Sequence, residues 1–151
     1  MIEKIASVYV FEEKIVLTSN SQLKMGMWFT HEPYIKLPKY CSDTEIATSL
    51  NAVLEASKQG IDNTNNTKDA NKAFLKGLGV KSLKELHERA NAFSVFSSED
   101  SFVFEPAKNL GSKKGFAPIL SAVVKINQNS TANIIADTFN LALQVASNAN
   151  K

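Results

Sequence analysis

Residues 42–57, SDTEIATSLNAVLEAS, and residues 131–147, TANIIADTFNLALQVAS, carry the same succession of apolar side chains. Ile46 and Leu54 of the first segment correspond to Ile135 and Leu143 of the second, at the spacing of an amphipathic helix. The apolar runs that precede the two segments also recur in order: residues 10–11 with 95–96, 15–17 with 102–104, 27–29 with 115–116, and 35–37 with 124–126. This ordered recurrence is typical of a diverged internal duplication.

The repeated unit reads as short strands followed by one helix. We predict a first unit at about residues 4–60, a connector at 61–91 and a second unit at about 92–148. Because a unit of this size cannot bury its apolar face alone, we expect both to pack as one domain spanning 1–151. Strands joined by short turns pair antiparallel. The predicted class is therefore α+β, with duplicated strand–strand–strand–helix units whose helices lie against an antiparallel or mixed sheet.

Runs of β-branched and aromatic residues mark the strands. Residues 5–18 read as a hairpin, and the polar run 19–22 separates it from further strands at 25–30 and 34–38. The residues between these last two, His31, Glu32 and Pro33, are expected to break the strand. In the second unit the predicted strands are 93–96, 101–105 and 122–126, with a turn at 109–115.

Capping signals mark the helices. Ser42 with Glu45, and Ser82 with Glu85, have the capping-box spacing of a helix N-terminus. We expect helices at about 43–58, 74–78, from 83 onward and about 131–148, and an asparagine-rich linker at 61–70. Apolar residues including Ile134 cover a wide face of the last helix, which predicts deep burial.

Composition excludes several classes of protein. With 44% apolar residues, the 151-residue chain can form one core and is neither disordered nor fibrous. Its 17 basic and 15 acidic side chains are spread along the chain without clusters of like charge. The charge distribution therefore does not require a nucleic acid or a membrane as a partner. The single cysteine, Cys41, favours a reducing compartment. The N-terminus lacks the features of a signal peptide, and we expect a cytoplasmic location.

Candidate catalytic and metal-binding residues are few. Neither His31 nor His87 has a second histidine or cysteine at ligand spacing, so we expect no metal and no cofactor. His31 and Glu32 form an acid–base pair only if Pro33 turns the backbone, since adjacent strand residues point to opposite faces. Cys41 reads as a small packing residue beside a helix start, and residues 109–115 lack the P-loop spacing.

Aromatic and acidic side chains are concentrated in the first unit. Trp28, Phe29, Tyr34 and Tyr40 occupy a region where the second unit has smaller residues such as Ala117. Aromatic anchors dominate the energetics of protein interfaces, and nearby carboxylates add charge complementarity. The predicted partner-binding residues are Glu12, Glu13, Trp28, His31, Glu32, Tyr34, Tyr40, Asp43 and Glu45. We predict no catalytic, cofactor-binding or metal-binding residues.

The sequence resembles the CdiI family, the immunity proteins of bacterial contact-dependent growth inhibition systems. The resemblance lies in residues 74–86 (FLKGLGVKSLKEL), 102–106 (FVFEP), the turn at 111–116 and the terminal helix with Ala142 and Leu143. It implies a cytoplasmic α+β protein without cofactor. Such a protein binds the C-terminal toxin domain of a cell-surface effector and covers its active site or substrate surface. Many of these toxins are nucleases.

Two alternatives come from other functional classes. The first is a small enzyme that uses His31 with Glu32 or Asp43, for which loss of His31 should abolish turnover. The second is a nucleic-acid-binding module that uses Lys108, Lys113, Lys114 and Lys125 near Phe116, for which affinity should fall steeply with salt. The resemblance favours the immunity protein over both.

Overall fold

The computed structural model describes residues 3–62 and 67–149 of the chain. In chain order, its strands and helices are β1 (Lys4–Val10), β2 (Lys14–Gln22), β3 (Trp28–Pro38), α1 (Asp43–Glu55), α2 (Thr67–Leu78), α3 (Leu83–Arg89), β4 (Asn91–Ser97), β5 (Ser101–Asn109), β6 (Phe116–Pro118), a 3-10 turn (Leu120–Ala122), β7 (Val124–Asn127) and α4 (Ala132–Asn148). The predicted asparagine-rich linker lies partly at 63–66, outside the described residues.

The strands form one antiparallel sheet in the order β3-β2-β1-β4-β5-β6, with β7 pairing β5 beside β6. The predicted α+β class is confirmed. The central ladder joins β1 to β4 and pairs Val8 with Phe93, so the two halves of the chain meet in the middle of the sheet. Each half then adds strands outward in chain order and ends in a long helix. This symmetry supports our division into two units, which remains a proposal.

One face of the sheet carries the larger core. Side chains alternate along a strand, so Ala6, Val8 and Val10 of β1 point to the same face. That face is covered by α1 and α4, which also contact each other. The largest fully buried side chains here include Phe93, Phe104 and Phe139, and the rings of Phe93 and Phe139 meet edge to face with centroids 4.9 Å apart. Both long helices are therefore held by one shared core.

The opposite face carries a smaller core under α2 and α3. It contains Tyr9 and Val16 from the sheet and Leu78 and Leu86 from the two helices. Burial raises the pKa of Tyr9 to about 12, so the phenol stays neutral at physiological pH. The connector thus supplies the two helices that cover this part of the sheet.

The caps agree closely with the sequence pattern. Ser42 and Glu45 form a full capping box at α1. At α3 the Ser82 hydroxyl accepts from the Glu85 N–H, but the Glu85 carboxylate reaches one residue further back and accepts from the Lys81 N–H at 2.5 Å. The Thr131 hydroxyl accepts from the Ile134 N–H and caps α4, a cap that was not predicted.

The structure differs from the sequence predictions at five points. Residues 19–22 form the second half of β2 and are largely buried, with Asn20 and Ser21 hydrogen-bonded to other elements. Helix α2 begins at Thr67, inside the predicted linker, and β6 was missed. Strand β3 continues through Pro33 with a shift of register. Ile134 is 47% exposed because α4 rests on the sheet through its neighbour Ile135.

Candidate functional site

The structure separates the predicted partner-binding residues into two groups at opposite ends of the sheet. Gln22 pairs with Trp28 and Lys14 pairs with Pro38, so β2 and β3 run side by side along their full lengths. A strand of this length spans roughly 30 Å. We call the end near residues 23–27 the hairpin end and the end near residues 11–13 the turn end.

Trp28, His31 and Glu32 lie towards the hairpin end, with Tyr34 further along β3. Glu12, Glu13, Tyr40, Asp43 and Glu45 lie at the turn end. Tyr40 is 87% exposed beyond the end of β3, so the expected cluster of first-unit aromatics is not formed as one group. The partner-binding role of both groups stays a prediction.

A cavity of about 330 Å³ opens at the hairpin end between β3, the N-terminal half of α2 and the chain after α1. Its lining is Ser21, Phe29, Thr30, His31, Glu32, Tyr34, Ala56, Lys58, Ile61, Ala70 and Ala73. It combines apolar walls with a few polar groups, which is the usual character of a binding pocket. Three of the predicted residues, His31, Glu32 and Tyr34, therefore line one concave site.

The bulge in β3 places these three side chains. Leu17 pairs with Ile35 and Ser19 pairs with His31, so two extra residues of β3 lie between those pairs. A bulge of this kind redirects the side chains around it. The cis peptide bond of Pro33 lies within it. Tyr34 consequently packs in the core under α2, where burial and then the charge of Glu32 raise its pKa.

The ring of His31 is held by two hydrogen bonds. Its Nδ1 lies 2.6 Å from the backbone carbonyl oxygen of Glu32, and its Nε2 lies 2.5 Å from the Ser21 Oγ. A carbonyl can only accept, so Nδ1 carries the proton of the neutral ring and Nε2 accepts from the hydroxyl. Ser21 is 1% exposed, and its oxygen also accepts the Lys58 N–H at 2.9 Å. His31 and Ser21 thus connect β3, β2 and the chain after α1. Their role here is to hold these segments of the fold together.

At the turn end, two of the predicted carboxylates are engaged within the fold. Glu13 lies 3.2 Å from Arg89, and Glu45 completes the cap of α1. Cys41 packs against the larger core, and burial, followed by the charge of Glu45, raises the pKa of its thiol. The raised pKa is the opposite of what a reactive thiolate requires, and it agrees with Cys41 as a packing residue.

A second cavity, of about 390 Å³, lies at the turn end and was not anticipated from the sequence. Its lining is His87, Glu88, Arg89, Ala90, Asn91, Asn109, Gly111 and Ser147. The Asn109 amide donates to the carbonyl oxygens of His87 and Ala90 at 2.7 and 2.9 Å, and its oxygen accepts from the Gly111 N–H. Asn109 therefore fixes the end of α3 on β5. No local signal connects residues so far apart in the chain.

The ring of Phe116, which the nucleic-acid alternative uses, packs against other rings of the protein. Phe116 stacks on His87 with centroids 4.5 Å apart and meets Tyr9 edge to face at 6.0 Å. His87 therefore takes up one face of the Phe116 ring, which leaves less of the ring for stacking on a base.

Within residues 3–62 and 67–149, no group of three histidine, cysteine, aspartate or glutamate side chains is arranged to hold a metal ion. No helix in the same part of the chain is long and apolar enough to cross a membrane.

No family model and no curated protein sequence matches the chain. Among solved structures, it is similar to a protein of unknown function from Neisseria meningitidis, with a TM-score of 0.78 and 14% identity over 95% of this chain and 94% of the other. It is also similar to a CdiA-CT/CdiI toxin and immunity complex from Yersinia pseudotuberculosis, with a TM-score of 0.76 and 14% identity over 100% and 99% of the two chains. The chain shares the fold of both. The fold resemblance to CdiI proteins that the sequence suggested is confirmed.

Proposed function

We propose that the chain is an immunity protein that binds the C-terminal toxin domain of a contact-dependent growth inhibition effector and neutralises it. The observation that carries this proposal is the match along the whole chain to a structure that is a toxin and immunity complex. The protein acts stoichiometrically, by covering the active site or the substrate surface of the toxin, and needs neither cofactor nor catalytic residue. The toxin is a nuclease, the activity common among such effectors, and the complex forms in the cytoplasm.

The cavity at the hairpin end supports this proposal as the anchoring point. Its volume of about 330 Å³ accommodates a large side chain of a partner, and Phe29 and Tyr34 offer aromatic walls. Glu32 is exposed beside it and can pair with a basic group at the rim. Next to the cavity, Met25 and Met27 are 65% and 61% exposed at the tip of the β2–β3 connection. Methionine adapts to irregular partner surfaces, so this tip extends the contact area.

The test is a calorimetric titration of the protein into the toxin domain encoded immediately upstream of it, alongside an assay of toxin activity. We expect one-to-one binding with a Kd in the nanomolar range, about −12 kcal/mol, and loss of toxicity. Glu32→Lys should weaken binding, whereas Glu88→Lys, the same charge change on exposed α3, should have a smaller effect. Absence of binding by the unchanged protein would refute the proposal.

The enzyme alternative makes a different prediction for the same residues. His31→Ala should reduce affinity for the toxin by disturbing β3, because the ring holds Ser21 and the backbone together. Protection from the toxin should then fall in proportion to the fraction of toxin molecules that the variant binds. Protection that persists at substoichiometric amounts of the protein, and disappears in His31→Ala, would favour turnover over binding.

A further inference from the structure

Two lysine side chains converge at the C-terminal end of α2. A Cβ atom at Gly79 would lie 2.8 Å from Nζ of Lys14 and 4.0 Å from Nζ of Lys36, so both ammonium groups flank the backbone of this residue. Lys36 stands opposite Val16, and Lys14 lies two residues before Val16. Both side chains are therefore on the face of the sheet that carries α2. We call Lys14 and Lys36 the lysine pair.

The end of α2 accounts for only one of these two charges. Lys14 donates to the Leu78 carbonyl oxygen at 3.1 Å, a favourable place for a cation at a helix C-terminus. The backbone N–H groups of Gly79 and Val80 close the last turn by a Schellman motif. Lys36 is exposed, and within residues 3–62 and 67–149 it has neither an ion pair nor a hydrogen bond. Its ammonium group can therefore bind a partner.

The nearby carboxylate of Glu13 does not neutralise the lysine pair. Glu13 lies 3.2 Å from Arg89, which also lies 3.4 Å from Glu85. The pKa of Lys14 is lowered, first by burial and then by the charge of Lys36, whereas Glu13 acts more weakly in the opposite direction. Arg89 adds to the lowering. The balance of charge around Lys14 is therefore positive.

The helices beside the lysine pair carry the excess positive charge of the chain. Residues 67–89, which form α2 and α3, contain six basic and three acidic side chains. The rest of the chain contains eleven basic and twelve acidic side chains. The formal charge of +2 therefore arises in the segment that packs on this face of the sheet, and the field of this segment attracts a negatively charged group.

The lysine pair is continuous with the cavity at the hairpin end. Lys36 is two residues from Tyr34 on β3, and Tyr34 lines the cavity. Gly79 follows α2 directly, six residues after Ala73 of the cavity wall, which is about 9 Å along the helix axis. Glu32, at the rim of the cavity, is not at ion-pair distance from Lys36. One partner segment can therefore fill the cavity and reach Lys36 along the seam between α2 and β3.

We propose that the lysine pair binds a carboxylate side chain of the same toxin domain, next to the segment that fills the cavity. The inference rests on the proposed function. An aspartate or glutamate placed between two ammonium groups relieves their mutual repulsion and accepts hydrogen bonds from both. A nucleic-acid strand fits this surface less well, because its repeated phosphates would also approach Glu13 and Glu85.

The test compares toxin binding by Lys36→Glu and Lys36→Gln with that of Lys113→Glu, a matched charge change in the exposed turn before β6. Lys36→Glu should raise Kd at least about tenfold, with a larger effect at low salt, and Lys36→Gln should raise it less. Lys113→Glu should change Kd by less than about twofold. Lys14 is left unchanged because it also holds the end of α2. Circular dichroism and thermal melting check folding, and Lys36→Gln keeps the test valid if Lys36→Glu does not fold.

A charge exchange then identifies the partner group. Each aspartate and glutamate on the surface of the toxin domain is changed to lysine in turn. One of these toxin variants should bind the unchanged protein weakly and should regain affinity with Lys36→Glu, because the two charges have then exchanged places. The same toxin variant should gain nothing from Lys113→Glu.

Each other outcome overturns the inference. If the unchanged protein binds the toxin domain and the Lys36 variants bind as Lys113→Glu does, the lysine pair lies outside the interface and the proposed function stands. The inference also fails if no toxin variant regains affinity with Lys36→Glu. If the unchanged protein does not bind, both proposals fail. If Lys36→Glu weakens binding of a labelled single-stranded oligonucleotide and leaves the affinity for the toxin unchanged, the lysine pair binds phosphate instead.

Discussion

Gly77 shows how one residue decides the position of a helix. A Cβ atom at this position would lie 2.5 Å from Cγ of Tyr34, so α2 can approach β3 only because residue 77 has no side chain. The close approach brings Ala70 and Ala73 of the same helix into the wall of the cavity at the hairpin end. The sequence contains this glycine, but nothing in the sequence identifies Tyr34 as the residue it meets.

We expect Gly77→Ala to destabilise the protein. Overpacking of this kind costs about 1–3 kcal/mol, more than the roughly 1 kcal/mol that alanine gains over glycine inside a helix. Urea denaturation measures the free energy of unfolding. In a Tyr34→Ala background the ring is absent, and the same substitution should become neutral or stabilising. An equal loss in both backgrounds would show that the contact with Tyr34 is not the cause.

Helix α3 depends on a carboxylate at its first turn. The pKa of Glu85 lies below its ordinary value of 4.5, first because the carboxylate accepts the Lys81 N–H and next because of its hydrogen bond with Arg89. A carboxyl group with a depressed folded pKa stabilises the fold above its unfolded pKa, and this contribution is lost as the pH falls through the folded value. The contribution is therefore fully present at neutral pH and disappears in acid.

We expect Glu85→Gln to lower the urea midpoint at pH 7. The difference from the unchanged protein should begin to shrink below about pH 4.5, the ordinary pKa of the group, and should vanish below the folded pKa. Glu88→Gln on the same helix is the matched control, and it should leave the midpoint nearly unchanged over the same range. If the difference in urea midpoint for Glu85→Gln did not change with pH, the substitution would act through lost packing and not through lost charge.

Strand β2 shows the limit of local signals at the level of whole elements. Its second half, residues 19–22, has the composition of a loop, and the sequence predicted one. The structure buries it, and its Asn20 and Ser21 find distant partners, whereas the Ser19 hydroxyl has none within the described residues. The Ser57 hydroxyl donates to the Asn20 carbonyl oxygen, and the Thr30 hydroxyl donates to the Asn20 side chain at 2.7 Å. Burial of polar groups is tolerated when they are hydrogen-bonded, and such partners cannot be seen in a local window.

We expect the whole molecule to behave as one unit, because the two halves share a core. The ladder between β1 and β4 and the contact between α1 and α4 both cross from one half to the other. A single cluster of buried residues includes Leu17 and Leu50 from the first half and Phe104 and Phe139 from the second. Unfolding should therefore be a single cooperative transition.

We expect residues 1–62 alone to be unfolded, because β1 would lose β4 as its neighbour and α1 would lose α4. Far-ultraviolet circular dichroism with thermal melting measures this. Mixing the fragment with residues 67–151 should restore a cooperative transition, since the shared core can re-form. A sigmoidal melt from either fragment alone would show that the halves are separate domains.

The sequence by itself determined the α+β class and the helix caps at Ser42 and Ser82. These features depend on periodicity and on hydrogen bonds between residues close in the chain, which a sequence pattern records. Only the tertiary structure decided which predicted site residues lie together. It placed Trp28 and Tyr40 at opposite ends of β3, grouped His31 with Ala70 around one cavity, and left Phe96 half-buried outside the two cores. These outcomes depend on strand register and on packing between distant segments, which no local pattern encodes.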